Sequence, residues 1–148
     1  MTLPYSNATS GQNAMTEIQK ILQKFGCQSF GHYTDFEAKK LVVQFKYRNV
    51  PISVEANFQG YAAAWLKENP WSNRMKLSRV DHERKALDKA NIAVYSILRD
   101  WIKGQVMAIE CGILSFQGAF LGQILLPSGM TVLQHVENNK LIAIEGPK

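Results

Sequence analysis

Residues 68–79, ENPWSNRMKLSR, set Trp71 close to Arg74, Lys76 and Arg79, and Arg84 and Lys85 follow just after His82. Basic side chains beside an aromatic suit an anion that carries a planar base. Guanidinium takes phosphate in bidentate geometry while an indole offers a stacking face. If Ser78 starts a helix, its free N–H groups and positive dipole end add to the same anion preference. The competing reading is that Trp71 fills the gap between two helices and the charges stay in water. A second basic and aromatic group, KKLVVQFKYR, brings Lys46, Tyr47 and Arg48 together behind Lys39 and Lys40. On an exposed sheet face such residues hold single-stranded nucleic acid. Alternation puts Phe45 and Tyr47 on one face, however, and that face can equally be core.

Other chemistry finds little support. His32, His82 and His135 have no second ligand at metal spacing, and no paired Cys-x-x-Cys occurs. His32 and Thr34 form half of a two-histidine phosphodiesterase pattern, but His135 in HVE does not supply the second half. There is no GxSxG, Walker A loop or GxGxxG. Asp81, Glu83 and Asp88 interleave with Arg84, Lys85 and Lys89, which reads as a solvated helix face with intrahelical ion pairs. Cys27 and Cys111 read as two buried thiols in a reducing compartment. No catalytic residues, metal or cofactor are predicted.

The elements that would position these residues follow from periodicity. Residues 1–12 read as a flexible arm. Met15, Ile18, Ile21, Leu22 and Phe25 then fall at helical spacing, with Asn13 as N-cap and Gly26 at C′. Two-residue alternation predicts strands in SFGHYTDF, AKKLVVQFKY and VPISVEAN, with a tight turn at Arg48–Asn49 and Pro51 at an edge or strand start. Pro70 ends a second helix in GYAAAWLKEN. Ser78, with Asp81 as an imperfect capping box, opens a helix of about 33 residues, about 50 Å long, that is bent or packs its far end on another subunit. Its predicted stripe is Leu87, Ala90, Val94, Leu98, Trp101, Gln105 and Ala108, with Ile97, Ile102 and Ile109 alongside. Gly104 suggests a bend or close approach, or plain tolerance. Ser115 caps a short helix in FQGAFLGQIL, and residues 131–144 form either a helix capped by Thr131 or a hairpin.

The predicted fold is therefore α+β: an N-terminal helix, a three-stranded antiparallel meander, a long helix across the sheet and a helical C-terminal extension. One domain over 13–148 is expected, divided into 13–58, 59–126 and 127–148. The composition, 46% hydrophobic and 20% charged, is that of an ordinary globule, and the net charge of +5 admits an anionic partner. No signal peptide is apparent, so the Asn7 glycosylation pattern carries no weight. Glu110, Ser115, Gln117 and Gln123 interrupt the most apolar window, 108–127, arguing against a membrane span. Residues 97–126 are instead expected to make a homo-oligomer contact.

TEIQKILQKFGCQSFGHY, LVVQFKYRNVPISVE, ALDKANIAVYSILRDWIKGQVMAIECGILSFQGAFL and LPSGMTV occur in this order. Over residues 15–133 the chain resembles a family of small, largely uncharacterised proteins encoded by tailed phages and prophages. Gln117 stands where that family is acidic, and Ser128 and Met130 replace Asp and Arg. The resemblance implies a phage origin, the cytoplasm of an infected bacterium as the site of action, and no catalytic residues to transfer. The expected function is non-enzymatic binding of nucleic acid, single-stranded DNA above all, in phage DNA metabolism. The alternatives are an anti-defence protein that sequesters a nucleotide signal or blocks a host defence protein, and a virion assembly protein.

Overall fold

The computed structural model describes residues 3–142, so the ends of the predicted arm and of the predicted extension lie outside the described residues. Its order is α1 (Gly11–Phe25), β1 (Ser29–Asp35), β2 (Lys40–Tyr47), β3 (Val50–Asn57), α2 (Gln59–Glu68), α3 (Arg79–Glu110), α4 (Phe116–Phe120) and α5 (Val132–Asn138). The architecture is the predicted α+β one, with the sheet antiparallel in the order β1-β2-β3.

Local chemistry fixes most boundaries. Gly26 takes φ 102° and returns its N–H to Leu22 and Gln23, closing α1 as a glycine can without Cβ strain. The N-cap is Ser10 rather than Asn13. The Ser10 hydroxyl accepts the Asn13 N–H, so the residue expected to cap is the one being capped. Arg48 and Asn49 both take positive φ in the two-residue β2–β3 turn, the twist a tight hairpin favours. Gln28 clamps that turn, donating to Asn49 Oδ1 at 3.0 Å and accepting its N–H at 2.6 Å. Pro51 lies on the outer edge of β3, where its carbonyl accepts the Leu125 N–H and no ladder bond needs its missing donor.

The core lies between the inner face of the sheet and α1 and α3, joined by Phe58 and Trp65 from the α2 side and Phe120 from α4. Leu41, Val43 and Phe45 of β2 and Ile52 and Val54 of β3 face inward. The buried stripe of α3 differs from the predicted one. It runs through His82, Ala86, Ala90, Ala93, Val94, Leu98, Ile102 and Val106. Leu87, Trp101, Gln105 and Ala108 sit half-buried on its flank and Ile97 is exposed. The shift arises because small alanines let α3 approach its neighbours along a face that large side chains alone did not mark. A methyl group placed on Gly104 would meet nothing within 4 Å, so this glycine marks no close approach.

The far end of α3 is covered by its own chain. Trp101 packs edge-on against Phe120 at 5.6 Å, and the Gln105 amide donates to the Ala119 carbonyl. FQGAFLGQIL is not one helix. After α4 the chain tightens into a 3₁₀ turn at Leu121–Gln123, then extends so that Ile124 bridges Ile52 and Leu125 bridges Thr131. Thr131 and Gln134 form a complete capping box that opens α5, which excludes the hairpin alternative over the described residues. Met107, Ile113, Leu114 and Leu121 remain exposed within the segment expected to make a subunit contact.

The described part of the arm is docked, not free. Leu3 packs against the core, the Tyr61 hydroxyl donates to the Pro4 carbonyl at 2.6 Å, and the Tyr5 hydroxyl donates to Asp100 at 2.7 Å. Arg99 holds the other oxygen of Asp100 and reaches Glu17 of α1. The Tyr5 hydroxyl, then Arg99, hold the Asp100 carboxyl below the usual range. No helix of the described residues is long and apolar enough to cross a membrane.

Candidate functional site

The segment between α2 and α3 folds on its own hydrogen bonds. Asn69 ends α2, returning its backbone and amide N–H groups to the Trp65 carbonyl. The Trp71 indole N–H donates to the Leu77 carbonyl at 2.8 Å, which fixes the ring across the loop. Ser72 Oγ accepts the Arg74 N–H, and Ser78 Oγ accepts the Asp81 N–H at the start of α3. Asp81 completes no capping box; its carboxylate pairs with Arg84 at 3.2 Å.

His82 joins this loop to the helix behind it. The residue is only 2% exposed, its ring packs 5.2 Å from Trp65, and Nε2 lies 2.7 Å from the Asn69 carbonyl oxygen. A carbonyl can only accept, so Nε2 carries the proton in that bond. Nδ1 is buried without a partner among the described residues. Beside His82 lies a cavity of 310 Å³ lined by Leu66, Pro70, Trp71, Arg79, His82 and Glu83.

That cavity combines three properties. The indole of Trp71 and the ring of Pro70 give flat apolar walls. Arg79 offers a guanidinium whose only salt bridge among the described residues, to Glu83 at 3.5 Å, joins two side chains 75% and 53% exposed. Such a pair is worth little in water, so Arg79 can turn to an anion without a large loss. The backbone N–H of Arg79, in the first turn of α3, has no protein partner among the described residues and belongs to a residue that lines this cavity; Val80, next in the helix, lines the 380 Å³ groove instead. A planar group carrying a phosphate meets a complementary surface here.

The remaining predicted residues do not join into one patch. Arg74 and Lys76 are exposed on the loop beside the cavity. Arg84 and Lys85 stand about 100° apart around α3, as successive residues of a helix must. Arg84 faces a 380 Å³ groove with Phe36, Lys39 and Asp88, while Lys85 faces a polar 450 Å³ groove with Lys89, Asn69 and Trp65. Lys46, Tyr47 and Arg48 lie at the opposite end of the molecule. About 33 Å of helix separates Arg79 from Trp101 at 1.5 Å per residue, and the Trp101 partner Phe120 packs on Phe45, near Tyr47 in β2. Tyr47 is stacked on Phe25 at 4.4 Å, tilted against Phe116 at 4.8 Å, and covered by Arg48 at 5.2 Å. These contacts occupy the ring that a base would need.

Sequence reasoning grouped His82 with the exposed basic residues and so missed the buried histidine at the centre of the corner. Its spacing to Ala86, Ala90 and Ala93 was the available signal. The other histidines do no shared chemistry. His32 is exposed and edge-on to Tyr95, whose hydroxyl bonds Thr34 at 3.2 Å. No group of three His, Cys, Asp or Glu among the described residues could hold a metal. Cys27 is half-buried and burial pushes its thiol up to about 11, whereas Cys111 is exposed, contrary to the expectation of two buried thiols.

No protein-family model matches the chain, and neither a curated protein nor a solved structure does.

Proposed function

We propose that this chain is a non-enzymatic phage accessory protein that binds single-stranded nucleic acid, DNA in particular, at the α2–α3 corner. The observation that carries the reading is the 310 Å³ cavity walled by Trp71 and Pro70, with Arg79, the first residue of α3, in its lining. A base enters against the indole, its phosphate meets Arg79, and the flanking phosphates lie near Arg74 and Lys76. Each contact is sequence-tolerant, since every base has a stacking face and every nucleotide a phosphate. The phage origin rests on the resemblance over residues 15–133, and with it goes action in the cytoplasm of an infected bacterium.

Fluorescence polarisation with a labelled single-stranded oligonucleotide tests the proposal. Binding should weaken steeply with salt, because each phosphate contact releases counterions. Trp71→Ala and Arg79→Ala should both weaken it, and Lys46→Ala should not. An oligonucleotide that fails to bind at low salt ends this reading.

A second reading, sequestration of a free nucleotide signal in anti-defence, is favoured by one observation. The two basic groups lie too far apart to form a continuous track, which suits a small ligand held at one cavity. A thermal-shift panel of mononucleotides and cyclic nucleotides separates the two: stabilisation by these alone, without oligonucleotide binding, selects the second.

A further inference from the structure

The two edges of the sheet are finished differently. Along β3, Leu125 donates to the Pro51 carbonyl at 2.9 Å, Ile124 bridges Ile52, and Gln134 of α5 reaches Glu55 at 2.6 Å. Along β1 there is no such cover among the described residues, and the strand SFGHYTD contains neither proline nor lysine, the usual devices against edge pairing.

The ladder shows which groups this edge presents. The Phe58 N–H donates to the Lys39 carbonyl, so odd-numbered residues of β2 turn their backbone groups to β3 and even-numbered ones to β1. In the β1–β2 register, Lys40, Val42, Gln44 and Lys46 face Asp35, Tyr33, Gly31 and Ser29. Those odd residues of β1 are therefore satisfied inward. Phe30, His32 and Thr34 turn their N–H and C=O groups outward, and make no backbone hydrogen bond there among the described residues.

We propose that this edge pairs with the same edge of a second copy of the chain, antiparallel about a two-fold axis through His32. Phe30 then meets the partner's Thr34 and His32 meets the partner's His32. Every outward backbone group of the three residues is satisfied on both strands. Moving the axis one residue either way keeps the hydrogen-bonding parity but leaves Thr34 or Phe30 unpaired, so the sequence of β1 selects this register.

The side chains agree with it. On the outer face Tyr33, 53% exposed, lies beside the partner's Gly31, where an added Cβ would meet nothing within 4 Å. An aromatic ring laid over a cross-strand glycine covers the backbone that glycine leaves bare. Ser29 meets the partner's Asp35, a hydroxyl donor opposite a carboxylate, and no like charges oppose each other. Phe36, 73% exposed just past the strand, falls opposite the partner's Gln28. There a 260 Å³ hollow between α1 and the start of β1 is lined by Leu22, Cys27, Gln28 and Phe30. The product is a six-stranded sheet whose outer strands are the two protected β3 edges. This contact is separate from the exposed apolar residues of 97–126.

Sedimentation velocity over a concentration series, on the full chain, tests the pairing. The protein should dimerise, and His32→Pro should be monomeric with unchanged circular dichroism, because the N–H it removes makes no bond within one copy. Ser29→Asp sets a carboxylate opposite the partner's Asp35 twice per dimer and should raise the dimer Kd about ten-fold; Ser29→Lys should lower it. Within one copy Ser29 faces Lys46, so the Asp variant stays folded and decides the matter if the Pro variant does not fold. A protein that stays monomeric throughout overturns the proposal. So does a dimer that Ser29→Asp leaves unchanged.

Discussion

The two ends of α3 are built from different materials. At the C-terminal end, Phe45, Trp101, Phe116 and Phe120 interlock at centroid distances of 5.5 to 5.6 Å, and Phe120 is completely buried. At the N-terminal end the helix is lined by alanine and histidine, flanked by three hollows, and leaves the Nδ1 of His82 and the Oδ1 of Asn91 buried without partners among the described residues. Phenylalanine rings, three of the four here, fill space and ask for no hydrogen bonds, so one end closes. Small and polar side chains leave gaps and unused hydrogen-bonding capacity, so the other stays open. Arg74, Lys76 and Arg79 stand at the open end, and the proposed binding site uses them.

Perturbations of the two ends should separate cleanly. Phe120→Ala removes the side chain shared by the aromatic cluster and should cost about 3–5 kcal/mol of stability in urea denaturation, with oligonucleotide affinity unchanged at temperatures where the variant is folded. Trp71→Ala at the open end should do the reverse. Stability should fall modestly, while affinity falls by roughly 1–3 kcal/mol for the lost stack, read by polarisation. The triple variant Arg74→Ala/Lys76→Ala/Arg79→Ala should flatten the dependence of log affinity on log salt by about 0.7 for each phosphate contact removed. A smaller contrast lies in the thiols. Cys27, raised to about 11 by burial, should react slowly with a thiol reagent at pH 8, and exposed Cys111 rapidly, as peptide mass spectrometry of the labelled protein would show.

The mildest effect is one of pH. Asp100 is depressed in the folded chain by Tyr5 and Arg99, so its contribution is complete above its unfolded value and is lost as pH falls through the folded one. Asp100→Asn should therefore lose part of the acid dependence of stability below roughly pH 4, measured by thermal unfolding across that range.

Much of the fold was legible because its signals are local. Gly26, Pro70, Ser78 and Thr131 each act within one helical turn, and the alternation of Leu41, Val43 and Phe45 needs no knowledge of partners. What escaped was set by tertiary contact. Nothing near Leu121 in sequence says that the chain must turn there to reach β3. The docking of Tyr5 depends on a residue 95 positions away. For the candidate site, residue types pointed to the corner, but not to His82 turning inward, to α3 splitting Arg84 from Lys85, or to Tyr47 being engaged by Phe25 and Phe116. Those outcomes depend on helical phase and on packing across the sheet.

The clasp of the arm on α3 also has a kinetic meaning. Loop closure becomes more costly as the enclosed chain lengthens, and the Tyr5–Asp100 bond encloses nearly the whole core. The arm is synthesised before α3, yet it has nothing to hold until α3 has reached Asp100. It should therefore be the last described segment to lock during refolding and the first to open, visible as early hydrogen exchange at residues 6 and 8 before the core of α1 exchanges.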